Sequence, residues 1–459
     1  VAPSSGAVGY RARAERPWAG RQLHFVGVAG AGMSAYARAA AALGARVSGS
    51  DRASSPFADA LEADGVLAVT IGHRGENVPD GEAVEVVCSS AIGAENAERR
   101  AAAERGLVVL TRAALLEQLT ALRRTIAVAG AHGKTTTSAM IVSALRAGGL
   151  EPSYLIGAIL RESGRNGEWG DGEWLVVEAD ESDRSMLSLH VEIAVITNVE
   201  LDHHDAFGSL HELEGVYREF LAKAATAVIW DRPNLLALRS GPLVAYDAVP
   251  VDGGGFTLGP AGEGAAALPL PGAHNARNAA AALAVARLLG VGDEDAARGL
   301  AAFAGTARRF EALGTSAAGA AVYDDYAHHP TEIAATLAAA RTLGPRRLVA
   351  VFQPHLYSRT RALAREFGAA LAGADEIVVL DVYAARERAE DHPGVSGLLI
   401  ALAAADAAGG RSVHWLPRRE DALAAAGALA GPGDVVVFMG AGDIDRLARA
   451  LAGGAGGDG

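Results

Sequence analysis

Thr125-Ile126-Ala127-Val128-Ala129-Gly130-Ala131-His132-Gly133-Lys134-Thr135-Thr136-Thr137 reads as a buried strand, a glycine-containing loop and the first turn of a helix. The apolar run Ile126 to Ala129 ends at a turn signal, and Ser138-Ala-Met-Ile-Val-Ser-Ala-Leu145 continues with apolar residues at helical spacing. Unpaired backbone N–H groups and the positive end of the helix dipole converge at such a helix start, which suits a polyphosphate. Lys134 adds a point charge, and the Thr135 hydroxyl can reach a bound Mg2+. Val128 stands where the standard loop spacing places its first glycine, so only the shorter Gly130-x-x-Gly133-Lys134-Thr135 form is present. Alone, this loop is compatible with nucleotide binding or with an ordinary strand-to-helix turn.

The chain's 459 residues suggest about three domains at roughly 150 residues each. Half the residues are hydrophobic, largely alanine, and no uncharged apolar run approaches the ~20 residues of a membrane span, so no membrane partner is expected. Flexible segments are predicted at 1–20, which has no apolar signal core, and at the glycine-rich 453–459. The single cysteine, Cys88, leaves no internal disulfide and no cysteine-rich metal site, which fits a reducing cytoplasm. Within Val84-Glu-Val-Val-Cys88 it reads as a small buried hydrophobe. A net charge of -13 argues against a nucleic-acid partner. Anionic small substrates then need locally placed Arg, Lys or Mg2+.

Upstream of the loop, Leu23-His-Phe-Val-Gly27-Val-Ala29-Gly30-Ala31-Gly32-Met33-Ser34 predicts a strand, a glycine turn and a helix running to about Leu43. It departs from a dinucleotide fingerprint at Ala29, where the middle glycine belongs. Arg46 to Asp51 reads as the next strand, ending in a carboxylate suited to a ribose or another polar group; a purely structural turn remains open. Downstream, strands at Leu175–Asp180 and Ile193–Asn198 run from apolar into polar residues. In a parallel sheet such strand ends meet at the ligand crevice, which would bring Glu178, Asp180, Asn198 and His203 to the phosphate loop. The stretch Glu200 to Asp205 reads as a metal cluster or a solvated turn, and adjacent histidines allow at most one of the pair to coordinate. Asn275 and Asn278, one helical turn apart, can hydrogen-bond a base, although Asn275 also suits a helix cap. Third-domain strands are placed at Ala321–Tyr323, Leu348–Phe352, Glu376–Leu380 and Val435–Phe438, with polar loops carrying Asp325, His328, His355 and Arg359. The expected fold is α/β in three domains: a Rossmann-like domain over 21–122, a central P-loop ATPase domain over 123–310 and a Rossmann-like domain over 311–452.

Eight ordered motifs together resemble the Mur ligases: His24 to Ser34, Gly130 to Thr136, Val177 to Asp183, Thr197 to His203, Pro271 to Ala279, Gly305 to Glu311, Asp324 to Glu332 and Phe352 to His355. The resemblance implies ATP- and Mg2+-dependent amide formation between the carboxylate of UDP-N-acetylmuramate and L-alanine, in peptidoglycan precursor synthesis, by a monomer or weak homodimer. It implies that Gly130, Ala131, His132, Gly133, Lys134, Thr135 and Thr136 bind ATP, with Lys134 on the β- and γ-phosphates. Thr135, Glu178 and His203 would serve the metal, Asn275 and Asn278 adenine, Arg309 the transferring phosphate and Asp325 the ribose. Gly27, Ala29, Gly30, Ala31, Gly32, Met33, Ser34 and Asp51 would face the UDP-sugar, and His328, His355 and Arg359 the amino acid. Lys134, Glu178, His203 and Arg309 are the implied catalytic set. Departures lie at Ala29, Ala131 and Leu356, where the family commonly has Gly, Thr and, in some members, Arg. A tripeptide-joining recycling ligase and a nicotinamide-dependent oxidoreductase are the alternatives. Lys134 is expected to be exposed on its loop, so that Lys134→Ala folds.

Overall fold

The computed structural model describes residues 16–201, 207–251, 255–258, 265–266 and 268–453. His203 lies outside them.

The first sheet contains β1 Gln22–Val26, β2 Arg46–Asp51, β3 Thr70–Ile71, β4 Val84–Cys88 and β5 Val108–Thr111, all parallel, in the order β3-β2-β1-β4-β5. The order reverses between β1 and β4, and the glycine turn follows β1 at that switch point, where open parallel sheets bind ligands. Gly27 is required there: its φ is +84°, and a Cβ would stand 3.0 Å from that of Ser89, just beyond β4. Trp18, within the segment expected to be flexible, is buried, donates its backbone N–H to Leu43 O at 3.1 Å and carries the Arg21 guanidinium 4.3 Å above its ring.

Beneath this sheet lies a buried polar network. His24 on β1 reaches Ser48 through Nδ1 and Glu98 through Nε2, each at 2.8 Å, while Ser50 and Asn77 donate to the Glu98 carboxylate at 2.7 and 2.9 Å. Against the pull of burial, His24, Ser50 and Asn77 hold the Glu98 pKa down at about 2. Its stabilisation is therefore full above the ordinary carboxylate range and lost as pH falls toward 2. Glu98→Ala strands several buried donors and is expected to cost about 2–4 kcal/mol in urea unfolding. That difference from the wild type should shrink on acidification.

The central sheet contains β6 Arg124–Ala129, β7 Ser153–Leu160, β8 Arg165–Glu168, β9 Trp174–Glu178, β10 Ile193–Ile196, β11 Thr226–Trp230 and β12 Leu243–Tyr246, in the order β12-β11-β10-β6-β9-β7-β8. Only β8 runs antiparallel to its neighbour. The uninterrupted apolar run of β6 follows from burial on both faces: Ile126 and Val128 enter one core, Ala127 and Ala129 the other. Helices Lys134–Ala147 and Ala273–Leu288 pack together on the first of these cores, where alanine permits close approach. The β7–β8 hairpin docks on the helix Ala31–Ala42 of the first domain. Asn166 donates to Ser34 Oγ at 2.8 Å, and Arg165 to Asp64 at 2.8 Å. A small antiparallel sheet, β13 Ala248–Val251, β14 Gly255–Leu258 and β15 Ala265–Ala266, has no counterpart in the sequence reading.

The third sheet contains β16 Glu311–Thr315, β17 Ala321–Asp325, β18 Leu348–Phe352, β19 Glu376–Val379, β20 Val413–Trp415 and β21 Val435–Met439, in the order β16-β17-β21-β18-β19-β20, with β16 antiparallel at the edge. The segment leading into it is tightly bent: Gly305, Arg308 and Phe310 have φ of +87°, +60° and +50°. Arg308 pins that bend to the third domain, donating to Gly440 O at 2.7 Å, Gly442 O at 2.9 Å and Asp324 at 3.3 Å. Among the described residues no helix is long and apolar enough to cross a membrane.

Candidate functional site

Gly130, at φ +143°, and Gly133, at φ +81°, shape the loop between β6 and the helix Lys134–Ala147. A Cβ on Gly130 would fall 2.1 Å from Thr197 Oγ1, and one on Gly133 2.8 Å from Asn278 Oδ1. The polar end of β10 braces the loop. Thr197 and Asn198 donate to His132 O at 2.6 and 2.9 Å, and His132 N–H donates to Asn198 Oδ1 at 3.0 Å. At the end of β9, Glu178 accepts the Thr135 hydroxyl at 3.0 Å, a pair of oxygen donors at the helix start.

Lys134 departs from expectation. Its side chain is 18% exposed, and Nζ stands 2.5 Å from Gly130 O and 3.4 Å from Glu181, itself 2% exposed. Burial opposes its charge, but Glu181, Asp180 and Glu178 together raise its pKa above the usual value. Asp180 takes a linking position rather than an open one. It accepts Ser182 Oγ at 2.7 Å and meets Arg112 of the first domain at 3.3 Å; Arg112 also reaches Asp183 at 3.0 Å. Asp51 likewise serves the glycine turn itself, accepting Ala29 N–H at 2.9 Å and Arg52 N–H at 2.7 Å.

Beside the loop opens a cleft of about 300 Å³, at the lower end of the range for small-molecule pockets. It brings together His132, Gly133, Thr136, Asn275, Asn278, Arg309 and Asp325, from both sides of the boundary between the second and third domains. Asn275 anchors to Pro271 O at 2.8 Å, and Asn278 donates to Asn275 Oδ1 at 3.4 Å. His274 lines the same wall with its pKa lowered to about 4 by burial, so it presents a neutral ring. Trp230 adds an aromatic surface with the Arg277 guanidinium 4.5 Å away. Asp325 accepts the N–H groups of Phe310 and Ala327 at 2.8 and 2.7 Å; burial pushes its pKa up to about 6, against the opposing charge of Arg309.

The expected amino-acid residues gather beside this cleft. The His328 and His355 rings meet edge to face at 6.0 Å, His355 stacks on Tyr383 at 5.9 Å, and Arg359 Nη1 stands 3.4 Å from His355 Nδ1. Leu356 holds φ +69° at the start of the helix Tyr357–Leu371, between His355 and Arg359.

Further polar residues that the sequence reading did not assign to the nucleotide site also enter it, among them His274, Arg277, Glu181, Glu200, Thr331 and Glu332. Two of these carry a local signal, since Glu332 follows His328 by one helical turn and Glu200 follows the Thr197-Asn198 strand end. His132, Glu200 and His329 lie close enough together to suggest a metal cluster. Both ring nitrogens of His132 already face carboxylates, Glu200 at 3.2 Å and Glu332 at 3.3 Å. Against burial, these push its pKa up to about 9, so a protonated ring suits the site better than a metal-bound one.

Three family models match the chain: "Mur ligase family, catalytic domain" over residues 22–124, "Mur ligase middle domain" over 128–286 and "Mur ligase, glutamate ligase domain" over 308–442. The UDP-N-acetylmuramate–L-alanine ligase of Thermobifida fusca is 44% identical over 457 residues, covering 93% of this chain and 95% of that protein. The Rubrobacter xylanophilus enzyme of the same name is 42% identical over 448 residues, covering 94% and 99%. Among solved structures, a UDP-N-acetylmuramate–alanine ligase from Thermotoga maritima superposes with a TM-score of 0.80 at 26% identity, covering 94% and 98%.

Proposed function

Because the chain belongs to the Mur ligase family, we propose that it joins L-alanine to the carboxylate of UDP-N-acetylmuramate, converting ATP to ADP and phosphate. The observation that carries this reading is the similarity to ligases of that name over 93% of the chain, combined with a phosphate loop facing polar residues of the adjoining domain.

ATP fits the cradle. The loop glycines admit no side chain, and Lys134 would move from Glu181 to the β- and γ-phosphates. Asn275 and Asn278 would hold the base and Asp325 the ribose. Thr135 and Glu178 offer the oxygen donors a hard cation prefers and would hold Mg2+. Bound there, the ion would neutralise phosphate charge during transfer. The turn from Gly27 to Ser34 would take the UDP-sugar, and His328, His355 and Arg359 the amino acid. The substrate carboxylate attacks the γ-phosphorus and ADP leaves. The amine then attacks the resulting acyl carbon, phosphate leaves and the nitrogen gives up a proton. Arg309 would offset charge on the transferring group, while the third domain shields the acyl phosphate from water.

Mass detection of the alanine adduct tests this reading. Product is expected only when UDP-N-acetylmuramate, L-alanine, ATP and Mg2+ are all present. No adduct with alanine, but an adduct with a tripeptide, would assign the chain to the recycling reaction.

A further inference from the structure

Glu332 lies in the first turn of the helix Pro330–Arg341, with its side chain 11% exposed. Its carboxylate joins groups from three parts of the chain. One oxygen stands 3.3 Å from His132 Nδ1 in the phosphate loop and 3.8 Å from Arg309 Nη1 in the interdomain bend. The other accepts the His328 N–H at 3.0 Å and stands 3.2 Å from His328 Nδ1, on the amino-acid side. A second contact crosses the same boundary in the opposite sense: the third domain's Thr331 hydroxyl donates to Glu200 at 2.9 Å, and Glu200 meets the other nitrogen of His132.

The backbone of His132 is part of the loop's own scaffold, since its N–H and C=O are the groups held by Asn198 and Thr197. A force on its ring therefore acts on the loop. Glu332 exerts that force only while the third domain is seated. If the domains part, the carboxylate keeps His328, on its own domain, and loses His132.

We infer that Glu332 and His132 are positioning residues, a pair through which the seated third domain, with its amino-acid side, sets the phosphate loop for transfer. The inference rests on the ligase reading above and adds a coupling between the amino-acid and nucleotide halves of that site.

The test is a double-mutant cycle on the full chain, measuring kcat and each KM for the wild type, Glu332→Gln, His132→Gln and the double variant. Each single change is expected to lower kcat about tenfold or more, with the KM for UDP-N-acetylmuramate held within about twofold. The double variant should lose no more than the worse single, because both remove one contact. A purely structural ion pair would lower the melting temperature and leave kcat within about twofold of wild type, and that result overturns the inference. Losses that multiply independently overturn it as well. Thr331→Val, at an exposed position, supplies the second variant. A kcat lowered about threefold or more supports the coupling, and a smaller change counts against it even if Glu332→Gln does not fold. A wild type without turnover removes the ligase reading and this inference together, whereas wild-type turnover with an unaffected cycle removes only the inference.

Discussion

Lys134→Ala is expected to lower kcat/KM for ATP by about three orders of magnitude or more, because phosphoryl transfer depends on positioned charge rather than on a nucleophilic side chain. The enclosure of Lys134 adds a second effect. With the ammonium gone, the Glu181 side chain is left at 2% exposure without its cationic partner, at a cost of about 1–3 kcal/mol in stability. Lys134→Ala should therefore melt earlier as well as turn over more slowly. Adding Glu181→Gln should restore the melting temperature and leave turnover lost. Steady-state kinetics and thermal melts on the two variants separate these effects, and near-normal turnover in Lys134→Ala would remove the lysine from the mechanism.

Gly130→Ala is expected to be nearly as damaging by a different route. The new methyl group would meet Thr197 Oγ1 at 2.1 Å and the Asn198 backbone at 2.9 to 3.0 Å, while φ +143° lies in a region that side chains rarely adopt. Relief requires moving the end of β10, the part that holds His132. A stability loss of about 2–4 kcal/mol and a fall in turnover of about a hundredfold or more should follow. Gly149→Ala is the control: it also has positive φ, +79°, but nothing stands within 4 Å, so only backbone strain of about 1–2 kcal/mol should appear. Equal effects of the two changes on turnover would show that crowding at the loop is not the cause.

The elements legible in the sequence were those whose physics is local. β6 betrayed itself because burial on both faces leaves no polar residue from Ile126 to Ala129. Glu178 and Asp325 end their strands, where polar residues after apolar runs mark a crevice, Asn275 and Asn278 lie one turn apart near the start of a helix, and the last three reach the cleft. The edge strands β16 and β20 are only partly buried, so they carry no comparable apolar run. Long-range pairings were less accessible. The enclosure of Lys134 depends on Glu181, 47 residues away, and the bridge from His132 to Glu332 closes only when two domains pack. Trp18 likewise owes its burial to the Leu43 turn, which nothing within 1–20 announces. Asp51 was legible as a strand-end carboxylate, but its backbone partners at Ala29 and Arg52 emerge only from the folded turn.

The measurement that tests the central claim most directly follows oxygen through the reaction. UDP-N-acetylmuramate carrying oxygen-18 in both carboxylate positions is incubated with ATP, L-alanine and Mg2+, and the released phosphate is analysed by mass. Attack of the carboxylate on the γ-phosphorus places one labelled oxygen in the phosphate and leaves the other in the new amide, in equal amounts. Unlabelled phosphate alongside the alanine adduct would contradict the acyl-phosphate account of this site.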